Sequence, residues 1–161
     1  SPIAISTNGD LQMSLSVASN GADYFVAWQD LRNGGGSPRN YDIFGSRVTS
    51  AGAVLDPSGL AIATAANVQQ FPSVASNGAD YLVVWQDYRN VLTPHLYGAR
   101  VSGAGIVLDP SGLVISSAAR VWQSPSVASN GTDYLVVWTD SRSGYQWVSS
   151  RFDGCRFGGH A

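Results

Sequence analysis

The chain contains no lysine, no glutamate, one cysteine and one methionine in 161 residues. Every charged position is therefore arginine or aspartate, and together they make up only 12% of the chain. Without Glu and Lys, two of the best surface helix formers are missing, which excludes a helix-rich surface. The single Cys155 excludes an internal disulfide. The longest strongly apolar run, "YLVVW" at 81–85, is far too short to cross a bilayer, and no signal-peptide pattern opens the chain. A net charge of −2 with no basic run lacks the footprint of a nucleic-acid binder. Neither a nucleic-acid partner nor a membrane span is expected. The length suits one domain with a substantial core.

What the chain has in abundance is Gly, at 18 residues, together with Val, Tyr, Trp, Ser and Asn, a composition for strands and turns. It also repeats itself. "SVASNGADYFVAWQD" at 16–30 recurs as "SVASNGADYLVVWQD" at 73–87 and "SVASNGTDYLVVWTD" at 126–140, and eleven of the fifteen positions are the same in all three. Each copy predicts a hairpin, with Asn-Gly supplying the positive φ of a two-residue turn. The repeat extends further, because "DIFGSRVTSAGAVLDPSGLAIAT" (42–64) aligns without a gap on "HLYGARVSGAGIVLDPSGLVISS" (95–117). Each unit thus holds four strand-like runs. In the middle unit they are 72–76, 80–86, 96–102 and 113–117, with a Pro-Gly turn, "DPSG", before the fourth. The second run is apolar on both faces, with Tyr81, Val83 and Trp85 on one side and Leu82 and Val84 on the other. A strand of that kind is covered on both sides.

Four antiparallel strands per unit of about fifty residues, each sheet covered on both faces, describe an all-β propeller blade. A β-sandwich competes, but does not account for the recurrence of the same four-strand unit. Ser1–Thr7 aligns with Ser58–Thr64 and Ser111–Ser117, so the N-terminus reads as a fourth strand with no first three before it. The repeats then run 1–57, 58–110 and 111–161, circularly permuted. Propellers typically close with four to eight blades, and three left open would expose an apolar sheet face at each end. The expected architecture is three four-stranded blades per chain, completed to a six-bladed β-propeller by homodimerisation with strand exchange. Residues 2–7 of one chain would complete the third blade of its partner. The competing origin is a segment cut from a longer propeller.

The pattern W-Q-D-x-R-N, at 28–33 and 85–90, is followed by [IL]-[FY]-G-x-R-V and G-x-V-L-D-P-S-G. It resembles the repeat of secreted bacterial β-propeller proteins over nearly the whole chain, departing only at the last seven residues, "CRFGGHA". The resemblance implies a propeller fold and a secreted or cell-envelope location. It leaves function open, since propellers host lectins, scaffolds and hydrolases alike.

The most conspicuous polar motif, Trp-x-Asp-x-Arg, places Asp30 with Arg32, Asp87 with Arg89, and Asp140 with Arg142. It reads either as a sugar or anion ligand set in each blade, or as a structural cap in which Asp accepts backbone N–H groups and Arg covers the Trp. Residues that break the repeat are better site candidates. His95 occupies the position of Asp42 and Gln146 after loops that shorten along the chain. The segments entering the first strands carry Asp10, Asn67 and Arg120, then Gln12, Gln69 and Trp122, and these are expected to ring the channel mouth. Tyr145 and Trp147 depart from the repeat on the same loop face. Trp with Asp, Asn and Gln suits a sugar, while carboxylates and amides suit a divalent cation such as calcium.

No Gly-x-Ser-x-Gly elbow and no His-Glu-x-x-His helix is present. "RNGGGSPRN" at 32–40 reads as a long loop rather than a phosphate cradle. Cys155 with His160 is at most a thiol pair or a weak transition-metal site.

Two functions fit. One is a self-assembling binding module for carbohydrate or another small polar ligand at the loop face. The other is a metal-dependent hydrolase of lactones, esters or phosphotriesters, with calcium or zinc held by Asp10, Asn67 and His95 and lowering the pKa of bound water.

Overall fold

The computed structural model describes residues 2–34, 40–90, 93–117, 124–140 and 146–153, the last stretch and residue 140 by backbone alone. The described residues contain no helix and eleven strands. The first sheet runs β1 (Gln12–Ser19), β2 (Asp23–Asp30), β3 (Asp42–Thr49) and β4 (Leu60–Ala63) in spatial order. The second repeats it with β5 (Gln69–Ser76), β6 (Tyr81–Asp87), β7 (His95–Val101) and β8 (Leu113–Ser116). The third has three strands among the described residues, β9 (Ser126–Ser129), β10 (Asp133–Asp140) and β11 (Gln146–Asp153). All neighbouring strands are antiparallel. The repeat cuts at 57/58 and 110/111 each fall between the third and fourth strand of a sheet.

The hairpins form where the "SNG" motif predicts, with the turn displaced by one residue. Asn77 N–H bonds the Asp80 carbonyl at 3.2 Å, and its Oδ1 accepts the Ala79 and Asp80 N–H groups. Gly78, with φ of 96°, is therefore the first central residue and the one at positive φ, and Asn77 precedes the central pair. The Asn77 side-chain oxygen accepts here in place of the backbone carbonyl that a turn would use. The fourth strand is set by an Asp-Pro-Ser-Gly turn in which Gly59 N–H bonds the Asp56 carbonyl at 2.9 Å and φ at Gly59 is 76°. Asp56 also accepts from Arg47, through the backbone N–H at 3.0 Å and the guanidinium at 2.9 and 2.8 Å. Arg100 and Asp109 repeat that clasp in the second sheet.

The sheets stack face to face. Phe25, Ala27, Ile43 and Ile62 of the first meet Tyr81, Val83, Trp85 and Tyr97 of the second, with the Phe25 and Tyr81 rings 5.0 Å apart. Leu82, Val84 and Leu96 on the other face of the second meet Val127, Tyr134, Val136 and Trp138 of the third. All seven residues of β6 are buried, as its two apolar faces demand. The first strands lie side by side, β1 against β5 and β5 against β9, so the sheets fan out from their first strands in a propeller-like arrangement. Val26, Trp28, Phe44 and Val48 form a smaller cluster on the outer face of the first sheet, and Ile5 packs against it. Residues 2–7 form no strand in the single chain.

Candidate functional site at the loop end of the sheets

The loops from second to third strands and the segments entering the first strands share one end of the fan. Leu31 N–H bonds the Leu11 carbonyl, Tyr88 N–H bonds Val68, and Gln69 N–H bonds Tyr41, at 3.1, 2.8 and 2.7 Å. Polar side chains are buried here among the strand ends: Gln29, Asp30, Asp42, Gln69, Gln86, Asp87 and Thr139.

The Trp-Asp-Arg motif forms the framework of this end. Asp87 accepts Trp85 Nε1 at 2.9 Å, Arg89 N–H at 2.9 Å, and the Arg89 guanidinium at 2.9 and 2.7 Å. The guanidinium lies 3.9 Å over the Tyr97 ring and reaches the Ser111 carbonyl at 2.8 Å. Asp30, Trp28 and Arg32 repeat the arrangement, with Arg32 3.8 Å over Phe44 and bonded to the Ser58 carbonyl. Burial works to raise the Asp30 carboxyl, but the bonds from Arg32 and Trp28 outweigh it and hold the group below the usual range. With its acceptor capacity filled from within, the carboxylate acts as a structural cap. Asp140 lies in β10 without a described side chain, and Arg142 lies outside the described residues.

Asp10 and Asn67 are both exposed. Asn67 takes a left-handed backbone, φ 64°, and its Nδ2 reaches the Arg89 carbonyl at 3.4 Å. Gln12 is half-buried and donates to the Asn8 carbonyl at 3.1 Å. Its repeat mate Gln69 is fully buried, drawn inward where its Nε2 donates to the carbonyls of Ala66 and Asn67 at 3.3 and 3.0 Å. Gln69 Oε1 is buried and accepts no hydrogen bond from the described residues. His95 is half-buried and opens β7 opposite Asp87. Asp10, Asn67 and His95 thus belong to the same end of the fan. Among the described residues no three His, Cys, Asp or Glu side chains gather closely enough to hold a metal. Trp147 sits in β11 opposite Thr139, its side chain undescribed, while Arg120, Trp122 and Tyr145 lie outside the described residues. Cys155 and His160 lie outside them as well.

Three features escaped the reading of the sequence. Asp42 is buried and accepts Asn33 Nδ2 at 2.7 Å. Burial pushes its carboxyl above the usual aspartate range, and the nearby Asp30 adds to that. Gln29 turns inward so that its Oε1 accepts the Phe71 N–H at 3.1 Å across the sheets. The first strands are also bulged: Ser14 and Phe71 hold φ of 55° and 57°, and the pairing register shifts around each. With Asn67, these are the only non-glycine residues at positive φ among the described residues, and all three lie where the chain enters a first strand.

No family model matches the chain, and no curated protein matches it. Among solved structures, the native arabinanase Arb43A of Bacillus subtilis is similar at a TM-score of 0.49 and 12% sequence identity, over 90% of this chain and 54% of that one. The chain therefore spans about half the length of that arabinanase.

Proposed function

We propose that the chain is half of a six-bladed propeller, closed by a second copy, and that the ring is a binding module for carbohydrate or another small polar ligand at its loop end. Following the repeat resemblance, we take it to work outside the cell or in the envelope. One observation carries the binding reading: every non-glycine left-handed residue among those described is gathered at the entries to the first strands. Such backbone costs about 1–3 kcal/mol per residue and clusters where a site needs groups held against their local preference. Of the three residues, Asn67 presents an exposed amide. Beside them at the same entries stand the exposed carboxylate of Asp10 and the half-buried amide of Gln12, groups that hydrogen-bond. In the third repeat the sequence offers Trp122 and Tyr145 as further candidates.

The test is saturation-transfer NMR with neutral monosaccharides and their short linear oligomers, run with EDTA and again with calcium. The expected result is transfer to at least one sugar, surviving chelation and lost in Asn67→Ala, whose side chain is exposed and dispensable to the core. Absence of transfer from every sugar, together with hydrolysis of p-nitrophenyl acetate that chelation abolishes, would replace the module by the metal-dependent hydrolase.

A further inference from the structure

Several contacts between the first and second sheets recur between the second and third. Ser16 Oγ accepts the Val74 N–H at 3.1 Å, and Ser73 Oγ accepts the Val127 N–H at 3.1 Å. The Tyr81 hydroxyl donates to the Asp23 carbonyl at 3.4 Å, and the Tyr134 hydroxyl donates to the Asp80 carbonyl at 3.0 Å. Ile62 belongs to the cluster around Trp85, and Ile115 packs on the cluster around Trp138.

Advancing each set by one repeat pairs Ser126 with Val17, Asp133 with Tyr24, and Ile5 with Trp28. The first two pairs lie on opposite ends of the three-sheet stack, and their apolar members are the ones left exposed. Val17 is 62% exposed, against 6% for Val74 and 8% for Val127. Tyr24 is 46% exposed, against 1% for Tyr81 and 4% for Tyr134. On the far face Leu135 is 48% exposed, whereas its mates Phe25 and Leu82 are 0% and 1%. Each face also carries an apolar hollow. One, of about 360 Å³, lies over Ala128, Tyr134 and Leu135, and another, of about 280 Å³, is lined by Ile5, Leu15, Val17 and Val26. The third pair is already made within the chain, since Ile5 packs on the Trp28 cluster as Ile62 and Ile115 pack on theirs.

We propose that the outer face of the first sheet docks, head to tail, on the outer face of the third sheet of a second copy. In that interface the Tyr24 hydroxyl donates to the Asp133 carbonyl of the other copy, and the other copy's Ser126 Oγ accepts the Val17 N–H. Residues 2–7 carry Ile5, which packs on the Trp28 cluster as Ile62 of β4 and Ile115 of β8 pack on the sheets that follow them. They therefore serve as the fourth strand on the β11 edge of the other copy. Two internal interfaces of the same kind show that these surfaces fit each other, which makes a second copy the occupant.

This inference rests on the self-assembly proposed above, and the experiment separates the two. In a Cys155→Ser background, Val17→Cys with Ser126→Cys is oxidised and run on a denaturing non-reducing gel, beside native light scattering. Ser16→Cys with Val74→Cys is the internal control and closes within one chain. The expected result is a covalent product of two copies, and association lost in Leu135→Arg with its circular dichroism unchanged, because that side chain is half exposed in the single chain. A longer covalent ladder also supports the head-to-tail interface. A particle of two or more copies that does not cross-link, while the control closes, overturns this interface and leaves self-assembly standing. A particle of one copy overturns both.

Discussion

Removing the Arg89 side chain tests whether the Trp-Asp-Arg motif is framework or ligand site. The Asp87 side chain is wholly buried, and the Arg89 side chain is 22% exposed. Arg89→Ala deletes the two guanidinium bonds to the carboxylate and leaves it with Trp85 Nε1 and one backbone N–H. Breaking a buried pair by removing one partner costs about 3–5 kcal/mol, because the remaining charge stays desolvated. Access of water to the guanidinium argues for the lower end, and loss of the stacking on Tyr97 adds about 0.5 kcal/mol. The expected loss is therefore about 3 kcal/mol. Urea unfolding at fixed protein concentration measures it, since association adds to apparent stability by mass action. In a double-mutant cycle with Asp87→Ala, the two losses are expected to be far from additive. A loss below about 1 kcal/mol, with an unchanged urea slope, refutes the structural reading and returns the motif to the ligand candidates.

Three further outcomes follow from packing and titration. Gly45→Ala would set a methyl 2.6 Å from two Phe25 ring carbons and 2.9 Å from Ile62 Cδ1, both in a closed core, and is expected to cost about 1–3 kcal/mol by thermal unfolding. Gly9→Ala, with nothing within 4 Å, is the neutral control. Because burial raises the Asp42 carboxyl, its ionisation opposes folding at neutral pH and ceases to do so below the ordinary aspartate value of about 4. Asp42→Asn is therefore expected to be more stable than the native chain at pH 7, with the advantage vanishing in acid. Asp56 has the opposite sign. The Arg47 hydrogen bonds lower its carboxyl, so its stabilising contribution is present above about pH 4 and lost as the pH falls through the folded value. Asp56→Asn is expected to lose stability at pH 7, the gap narrowing in acid, as read from unfolding midpoints across pH.

The strands were legible because their signals are local and repeated three times. The two-faced apolar run at 81–85 announced a sheet covered on both sides, and the structure buries all of β6. The dual reading of Trp-Asp-Arg needed geometry, which favours the framework, since nothing in the residue types says whether a carboxylate's acceptor sites are filled from within. The bulges at Ser14 and Phe71 were invisible because neither residue favours positive φ. Both sit at the irregular pair where the register of the strand shifts, a feature that no residue type announces. Gln12 and Gln69 share a repeat position yet differ in burial, because Gln69 enters between two sheets while Gln12 enters at an outer face. Alignment assigns equivalent places along the chain, and the neighbour a sheet has or lacks decides what those places expose.

The central claim is that three sheets are half of a closed structure, and the solution mass by light scattering measures it most directly. The account predicts a single species near twice 16.9 kDa. A stable species of 16.9 kDa at every concentration tested, with both outer faces left bare to water, would contradict it.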